Sequence, residues 1–246
     1  MANVIGKRIS GNLVYVDRGA HDMRVVDAIG PDVHKFEFNQ WTMGLATEGG
    51  TGVDSDAFTT TVVEAGTGTS EFTGSQTAGT IGKMVAAADE NDGIQVQTRS
   101  EEFEFTSNQS MVYFGIQLAP NDADQSDWLA GLCITDTTLL GGMTDGVYFE
   151  SLDGAATYSS VTEKDSSETQ TDSLATAADD TFTFLEFYFD GSSVYFYTDG
   201  TLSSTIHTTN IPDDEALAVS LAFLTGEAVA NTLSIRRWNV FAIGRT

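Results

Sequence analysis

Acidic side chains are the most abundant carriers of chemistry in this chain, with 36 Asp and Glu against 11 Lys and Arg in 246 residues. Two carboxyls can cleave a glycosidic bond when they flank it, about 5 to 5.5 Å apart in a retaining enzyme. Glu102-Phe103-Glu104 would set two acids on one face of a strand, but no further acid follows to complete a catalytic set. Glu150 and Asp153 have the wrong spacing to share a face. No strand is read as carrying the Glu-x-Asp-x-x-Glu pattern that would place a catalytic pair, so these acids are expected on solvated sheet faces. Asn121-Asp122-Ala123-Asp124-Gln125-Ser126-Asp127 gathers oxygens that suit Ca²⁺, yet it lacks the glycine and closing glutamate of a calcium loop. His21, His34 and His207 are dispersed and Cys133 stands alone, which is no zinc set. Neither a Gly-x-Ser-x-Gly nucleophile turn nor a phosphate loop occurs. The reading is therefore of no catalytic residue, no metal and no cofactor. Aromatic rings offer another chemistry, the stacking of sugars, and Trp128, Tyr148 and Tyr158 are the candidates for it. Trp41 reads instead as a core anchor.

A formal net charge of -25 and a pI near 4.1 argue against nucleic-acid and anionic-membrane partners, because both need clustered Lys and Arg. No stretch approaches the ~20 apolar residues of a membrane helix, and the opening MANVIGKRISGNL has no apolar segment of signal-peptide length. Cys133, within WLAGLCIT, cannot form an intrachain disulfide and is expected to pack as a small hydrophobe, as suits folding in a reducing cytoplasm. The charge is uneven. Residues 1–35 balance Lys7, Arg8, Arg18, Arg24 and Lys35 against Asp17, Asp22, Asp27 and Asp32, so the rest of the chain holds almost the whole deficit.

The elements that would position these residues are strands. Between Thr181 and His207 two alternating aromatic runs are joined at Asp190-Gly191 and closed at Asp199-Gly200, the pattern of antiparallel strands with tight turns. Phe182, Phe184, Glu186 and Tyr188 fall on one face, and Thr183, Leu185, Phe187 and Phe189 on the other. Both faces are largely apolar, which predicts a hairpin in the middle of a packed double sheet. LVYVDR and MRVVDAI read as short strands. EFEF is expected to pair with MVYFGIQL across Ser107-Asn108-Gln109, with Phe103 and Phe105 inward and Glu102 and Glu104 outward. Roughly twelve or more strands follow one another with no convincing amphipathic helix, the signature of an all-β antiparallel sandwich or jelly roll. Residues 1–40 are expected as an N-terminal extension or arm, and 41–246 as the jelly-roll domain.

From about Asp124 onward the chain resembles tailed-bacteriophage structural proteins with a concanavalin A-like jelly roll, among them capsid decoration or cement proteins. The likeness lies in DQSDWLAGLCITD, GGMTDGVYFESLDGAATY, AADDTFTFLEFYFDGSSVYFYTDG, IPDDEALAVSLAFLTGEA and TLSIRRWNVF. It implies a non-enzymatic virion protein, made in the bacterial cytoplasm and seated on the capsid surface. Such a protein would bridge subunits of the major capsid protein, as a homo-oligomer (dimer or trimer). The contact is expected in the more basic N-terminal segment, through Lys7, Arg8, Arg18 and Arg24 with the apolar neighbours Val14, Val25 and Val26. The other reading is a carbohydrate-binding module of a virion or tail component, with a glycan as partner.

Overall fold

The structure, a computed structural model, describes residues 57–243 apart from 65–67, 75–79, 81, 107–110 and 153, together with the backbone of four strands before residue 39. The strands are β1 (Asn3–Ile9), β2 (Asn12–Arg18), β3 (Met23–Ile29), β4 (Val33–Phe38), β5 (Phe58–Val63), β6 (Glu71–Gly74), β7 (Gly82–Val85), β8 (Gly93–Thr98), β9 (Phe103–Glu104), β10 (Met111–Pro120), β11 (Ser126–Cys133), β12 (Gly146–Ser151), β13 (Thr157–Lys164), β14 (Ser167–Thr176), β15 (Thr183–Phe189), β16 (Val194–Thr198), β17 (Thr201–Leu202), β18 (Ala216–Thr225) and β19 (Thr232–Ile243). Among the described residues one short turn, α1 (Leu139–Gly142), interrupts them, with Leu140 and Gly141 at non-helical backbone angles.

Two antiparallel sheets face each other. Sheet I runs β17-β16-β15-β10-β19-β7-β6, with β4 also on β19; sheet II runs β14-β13-β12-β11-β18-β8-β5, with β9 also on β18. Alternation along each strand builds the core between them. Val112, Phe114, Ile116 and Leu118 of β10 and Leu185, Phe187 and Phe189 of β15 point inward from sheet I. Trp128, Ala130 and Leu132 of β11, Phe149 of β12 and Val219, Leu221 and Phe223 of β18 meet them from sheet II. Phe187 lies at the centre, stacked on Phe114 at 5.0 Å and touching Phe196 at 5.7 Å and Phe149 at 6.1 Å.

The all-β antiparallel sandwich is as expected, and three details differ. Phe103 and Phe105 are buried, but EFEF does not pair with MVYFGIQL: β9 joins β18 in sheet II while β10 lies in sheet I. The local alternation was read correctly, yet the chain changes sheets between the two runs. The aromatic hairpin sits toward one end of sheet I, followed only by the short β17. On the outer face of this sheet the rings pack on one another, and Tyr113, Tyr197 and Phe241 are buried there. Tyr195, Tyr188, Tyr113 and Phe241 form one cross-strand row, with Tyr188 stacked on Tyr195 at 4.7 Å and Tyr113 on Phe241 at 5.0 Å. Beside the row the buried Glu186 accepts a 2.7 Å hydrogen bond from the Tyr113 hydroxyl.

Within the expected arm, β1, β2 and β3 make a separate three-stranded sheet, while β4 pairs with Trp238–Ile243 of β19 in the sandwich. Lys7 and Arg8 lie on β1, Val14 and Arg18 on β2, and Arg24, Val25 and Val26 on β3. Their side chains, and Trp41 and His21, lie outside the described residues. Cys133 is fully buried, and burial raises its thiol well above the usual range, so it packs as the sequence suggested.

Phe187→Ala is expected to destabilise the sandwich by about 3 to 5 kcal/mol, the usual loss for emptying a buried aromatic site. Guanidinium unfolding followed by tryptophan fluorescence measures it.

Candidate functional site

The outer face of sheet II carries a pocket of about 320 Å³, walled on one side by α1 and its neighbours and on the other by the hairpin β13–β14. Three adjacent strands supply its floor. On β12, Tyr148 and Glu150 share the outward face; on β13, Val161 and Glu163 do; on β14, Glu168 and Gln170 do. Register then sets the neighbours. Glu163 lies directly opposite Glu168, Val161 opposite Gln170, and Tyr148 opposite Val161. The tight turn between β13 and β14 has Asp165 at φ 50° and Ser166 at φ 61°, both left-handed as a type I′ hairpin turn requires.

The opposite wall is the connection after β11. Two glutamines on the outer face of β8 hold it down: Gln97 donates to the Ile134 carbonyl at 2.9 Å and accepts from Asp136 N, and Gln95 donates to the Asp136 carbonyl at 2.8 Å and accepts from Leu139 N. Beneath, Leu139 and Met143 pack on Leu129, Cys133, Tyr148, Val161 and Ala222, a small apolar cluster outside the main core.

The polar groups are already ordered. The Tyr148 hydroxyl donates to Glu163 Oε2 at 3.1 Å, and Gln170 Nε2 donates to Glu150 Oε1 at 3.1 Å. Among the described residues no Lys, Arg or His lines the pocket. Burial, reinforced by the charges of Glu168 and Glu163, pushes the Glu150 carboxyl up to about 7. Burial also raises Glu163, with the Tyr148 hydrogen bond opposing it. Tyr148 is held above its ordinary range by burial and then by Glu150 and Glu163. The site thus combines an apolar wall, an aromatic ring and an excess of acceptors, with the Glu150 carboxyl pushed up to about 7.

Of the three aromatics proposed for sugar stacking, only Tyr148 lines this pocket, with 4% of its surface exposed. Trp128 and Tyr158 are corrected: both point into the core, edge to face at 5.0 Å, and offer no ring face to a ligand. Their positions on β11 and β13 are of inward parity, alongside Ala130 and Ser160. Glu150, expected on a solvated face, is instead part of the pocket. Glu163, Glu168 and Gln170 were missed. A Glu-x-Asp-x-x-Glu spacing does occur, at Glu163, Asp165 and Glu168, against the sequence expectation. A hairpin turn splits it, so the two glutamates meet across strands rather than along one.

The acidic loop 121–127 turns its oxygens on itself and its neighbours. The Asp122 carbonyl accepts from Ser126, Asn121 Oδ1 accepts from Thr232 N, and the Asp124 carbonyl accepts from Gly154 N. Among the described residues no three His, Cys, Asp or Glu side chains are grouped to hold a metal ion. His207 lies inside the sandwich, bonded to two threonines.

No protein-family model matches the chain, and no curated protein matches it. Solved structures do. An endo-1,3-β-glucanase from Streptomyces sioyaensis is 11% identical with a TM-score of 0.60, the match covering 89% of this chain and 100% of that one. The Emp47p carbohydrate recognition domain is 9% identical with a TM-score of 0.54, over 82% of this chain and 93% of that one. A protein of unknown function from Shewanella oneidensis MR-1 is 14% identical with a TM-score of 0.55, over 87% of each chain. At such identities the likeness establishes the fold alone, a sandwich of the concanavalin A-like kind.

Glu150 has a definite linkage sign. Its carboxyl moves from 4.5 to about 7 on folding, so its contribution to stability is present below pH 4.5 and is lost as pH rises through about 7. Glu150→Gln is expected to flatten the decline of the urea midpoint across that window, and wild-type and variant unfolding curves measured side by side check it.

Proposed function

We propose that the sandwich is a carbohydrate-recognition module that takes a neutral glycan in the pocket above β12, β13 and β14. The observation that carries this is the lining itself: the apolar wall at Leu139 and Met143, the edge of Tyr148, and a row of acceptors at Glu150, Glu163 and Glu168. Sugar hydroxyls are donors that fit such acceptors, and the sugar's C–H faces fit the apolar wall. A volume of about 320 Å³ falls at the low end of the range for small-ligand pockets. With no cation among the described lining residues, uronates and other anionic sugars are disfavoured by like charge. That the fold is shared with a carbohydrate recognition domain and a glucanase supports the reading by analogy.

A second reading concerns where the module is carried. The sheet β1-β2-β3 shares no strand pairing with the two sandwich sheets and holds most of the segment in which basic and acidic residues balance. This favours an attachment element, and the likeness to phage decoration proteins makes the major capsid protein its candidate partner, with the virion surface as the location and a homo-oligomer as the seated form. Because β4 belongs to the sandwich, a clean deletion ends before Val33.

Isothermal titration against neutral β-glucan oligosaccharides and alginate oligosaccharides tests the first reading. Saturable binding of a neutral glycan, weakened about 10-fold or more by Gln170→Ala or Glu168→Ala, is the expected result, since one lost hydrogen bond to a charged group is worth about 1.5 to 3 kcal/mol. Binding that ignores both variants would overturn it. Release of reducing sugar that disappears in Glu163→Gln would replace recognition with hydrolysis. Co-sedimentation with undecorated capsid shells tests the second reading: loss of binding on deletion of residues 1–31, with the sandwich still folded, is expected.

A further inference from the structure

The segment after β17 runs along the edge where the sheets meet, and it is tied to both. His207 exchanges two backbone hydrogen bonds with Val194 at the start of β16, at 2.9 and 3.1 Å. Its ring turns to sheet II, with Nδ1 3.1 Å from the Thr162 hydroxyl and Nε2 3.0 Å from the Thr171 hydroxyl. Thr162 Oγ1 already donates its one proton to the Thr209 carbonyl at 3.0 Å. Nδ1 must therefore be the protonated nitrogen, and Nε2 the lone pair that accepts from Thr171. Of the two neutral tautomers, only this one satisfies every partner.

The next residues carry further ties. Thr209 and Asn210 bond Thr169 on β14 at 2.7 and 3.1 Å, and Lys164 at the end of β13 pairs with Asp213 and Asp214. Beneath them is a cleft of about 480 Å³ with Phe105 and Phe189 in its lining.

We propose that residues 207–214 are an acid-released strap: protonation of His207 sets a charge on a fully buried ring, which draws the segment out to water, frees it from β13 and β14, and opens the cleft onto Phe105 and Phe189. The Thr171 hydroxyl can rotate and accept from a protonated Nε2, so the cost of the added proton lies in the charge itself, set on a fully buried ring whose described hydrogen-bond partners are two hydroxyls and no carboxylate. On β13, Glu163 turns to Tyr148 and Lys164 to Asp213 and Asp214. On β14, Glu168 and Asp172 have the outward parity of Gln170, opposite to Thr171. On β16, Tyr195 and Tyr197 lie on the outer face of sheet I, and inward-pointing Phe196 packs on the ring at 4.8 Å. Burial alone lowers the imidazole from 6.5 to about 4. The folded value is the lower one, so the closed strap's stability is complete above pH 6.5 and is lost as pH falls toward 4. Since β14 also presents Glu168 and Gln170 to the pocket, release would loosen the proposed glycan site; that consequence alone rests on the recognition reading.

Hydrogen exchange on the full chain, corrected for intrinsic rates, tests the strap without any glycan. Peptides covering 203–214 and 167–176 are expected to lose protection about 10-fold or more between roughly pH 6 and pH 4, while β11 and β18 keep theirs. His207→Gln, which stays neutral, should abolish that change. Unaltered protection at acid pH, an equal change in the variant, or a simultaneous loss in β11 and β18 would each overturn the proposal. Should His207→Gln fail to fold, Thr171→Val is expected to speed exchange of 203–214 at neutral pH, and unchanged exchange counts against the strap. NMR of the wild type gives a mutation-free readout: a His207 ring that titrates near its ordinary 6.5 contradicts the mechanism.

Discussion

Everything in this molecule depends on the contact of two sheets through interlocking aromatic rings. Packed sheets stand about 10 Å apart, a gap that phenylalanine and tryptophan side chains can fill from both sides. Phe187 occupies the middle of that gap, and the rings of Phe114, Phe149 and Phe196 close around it. Because strand parity is strict, fixing Phe187 inward also fixes Glu186 and Tyr188 outward, and the same holds for Phe149 with Tyr148 and Glu150. The core therefore decides which side chains the outer faces can offer. The pocket on sheet II is a by-product of packing on the other side of the same strands.

Close approach of backbones sharpens that arrangement. A Cβ on Gly131 would lie 2.3 Å from the Val147 carbonyl oxygen and 2.5 Å from Cα of Tyr148, so glycine is what lets β11 and β12 run together beneath the tyrosine. Above this floor, Gln95 and Gln97 pin the connection after β11 through four side-chain to backbone hydrogen bonds. The pocket is thus built from a rigid floor and a pinned wall. The Glu150 carboxyl is held in low-dielectric surroundings by the same packing, which is why it is pushed up to about 7.

Period-two alternation made the sandwich legible in the sequence: the phenylalanines of EFEF were assigned inward correctly, and in TFTFLEFYF the face with Phe187 and Phe189 was separated from that with Phe182 and Phe184. What alternation does not encode is which strand lies beside which. Phe103 and Phe105 look like one arm of a hairpin with Met111–Leu118, yet the pairing of β9 with β18 is set by contacts more than 100 residues away in the chain. The site was legible only in part for the same reason. Tyr148 was singled out as an aromatic, but Trp128 and Tyr158 are aromatics of the opposite parity, and a sugar-stacking ring cannot be told from a core ring by type alone. Glu163 and Glu168 carried a readable signal in the turn residues Asp165 and Ser166, which place them face to face; a motif sought along one strand passes over a pair formed across two.

The strand that ends sheet II shows how the fold protects itself. β14 presents exposed Ser167, Glu168, Asp172 and Ser173 along the margin of the sheet, and Ser173 turns to φ 54° in its middle, where the register with β13 shifts. A left-handed residue there interrupts the even row of amide and carbonyl groups that an incoming strand would need as a template, and the acidic neighbours repel a second copy of the same edge. Chains crowded together at high local concentration would accordingly resist polymerising by strand addition at this margin, and any ordered array they build has to be held by other surfaces.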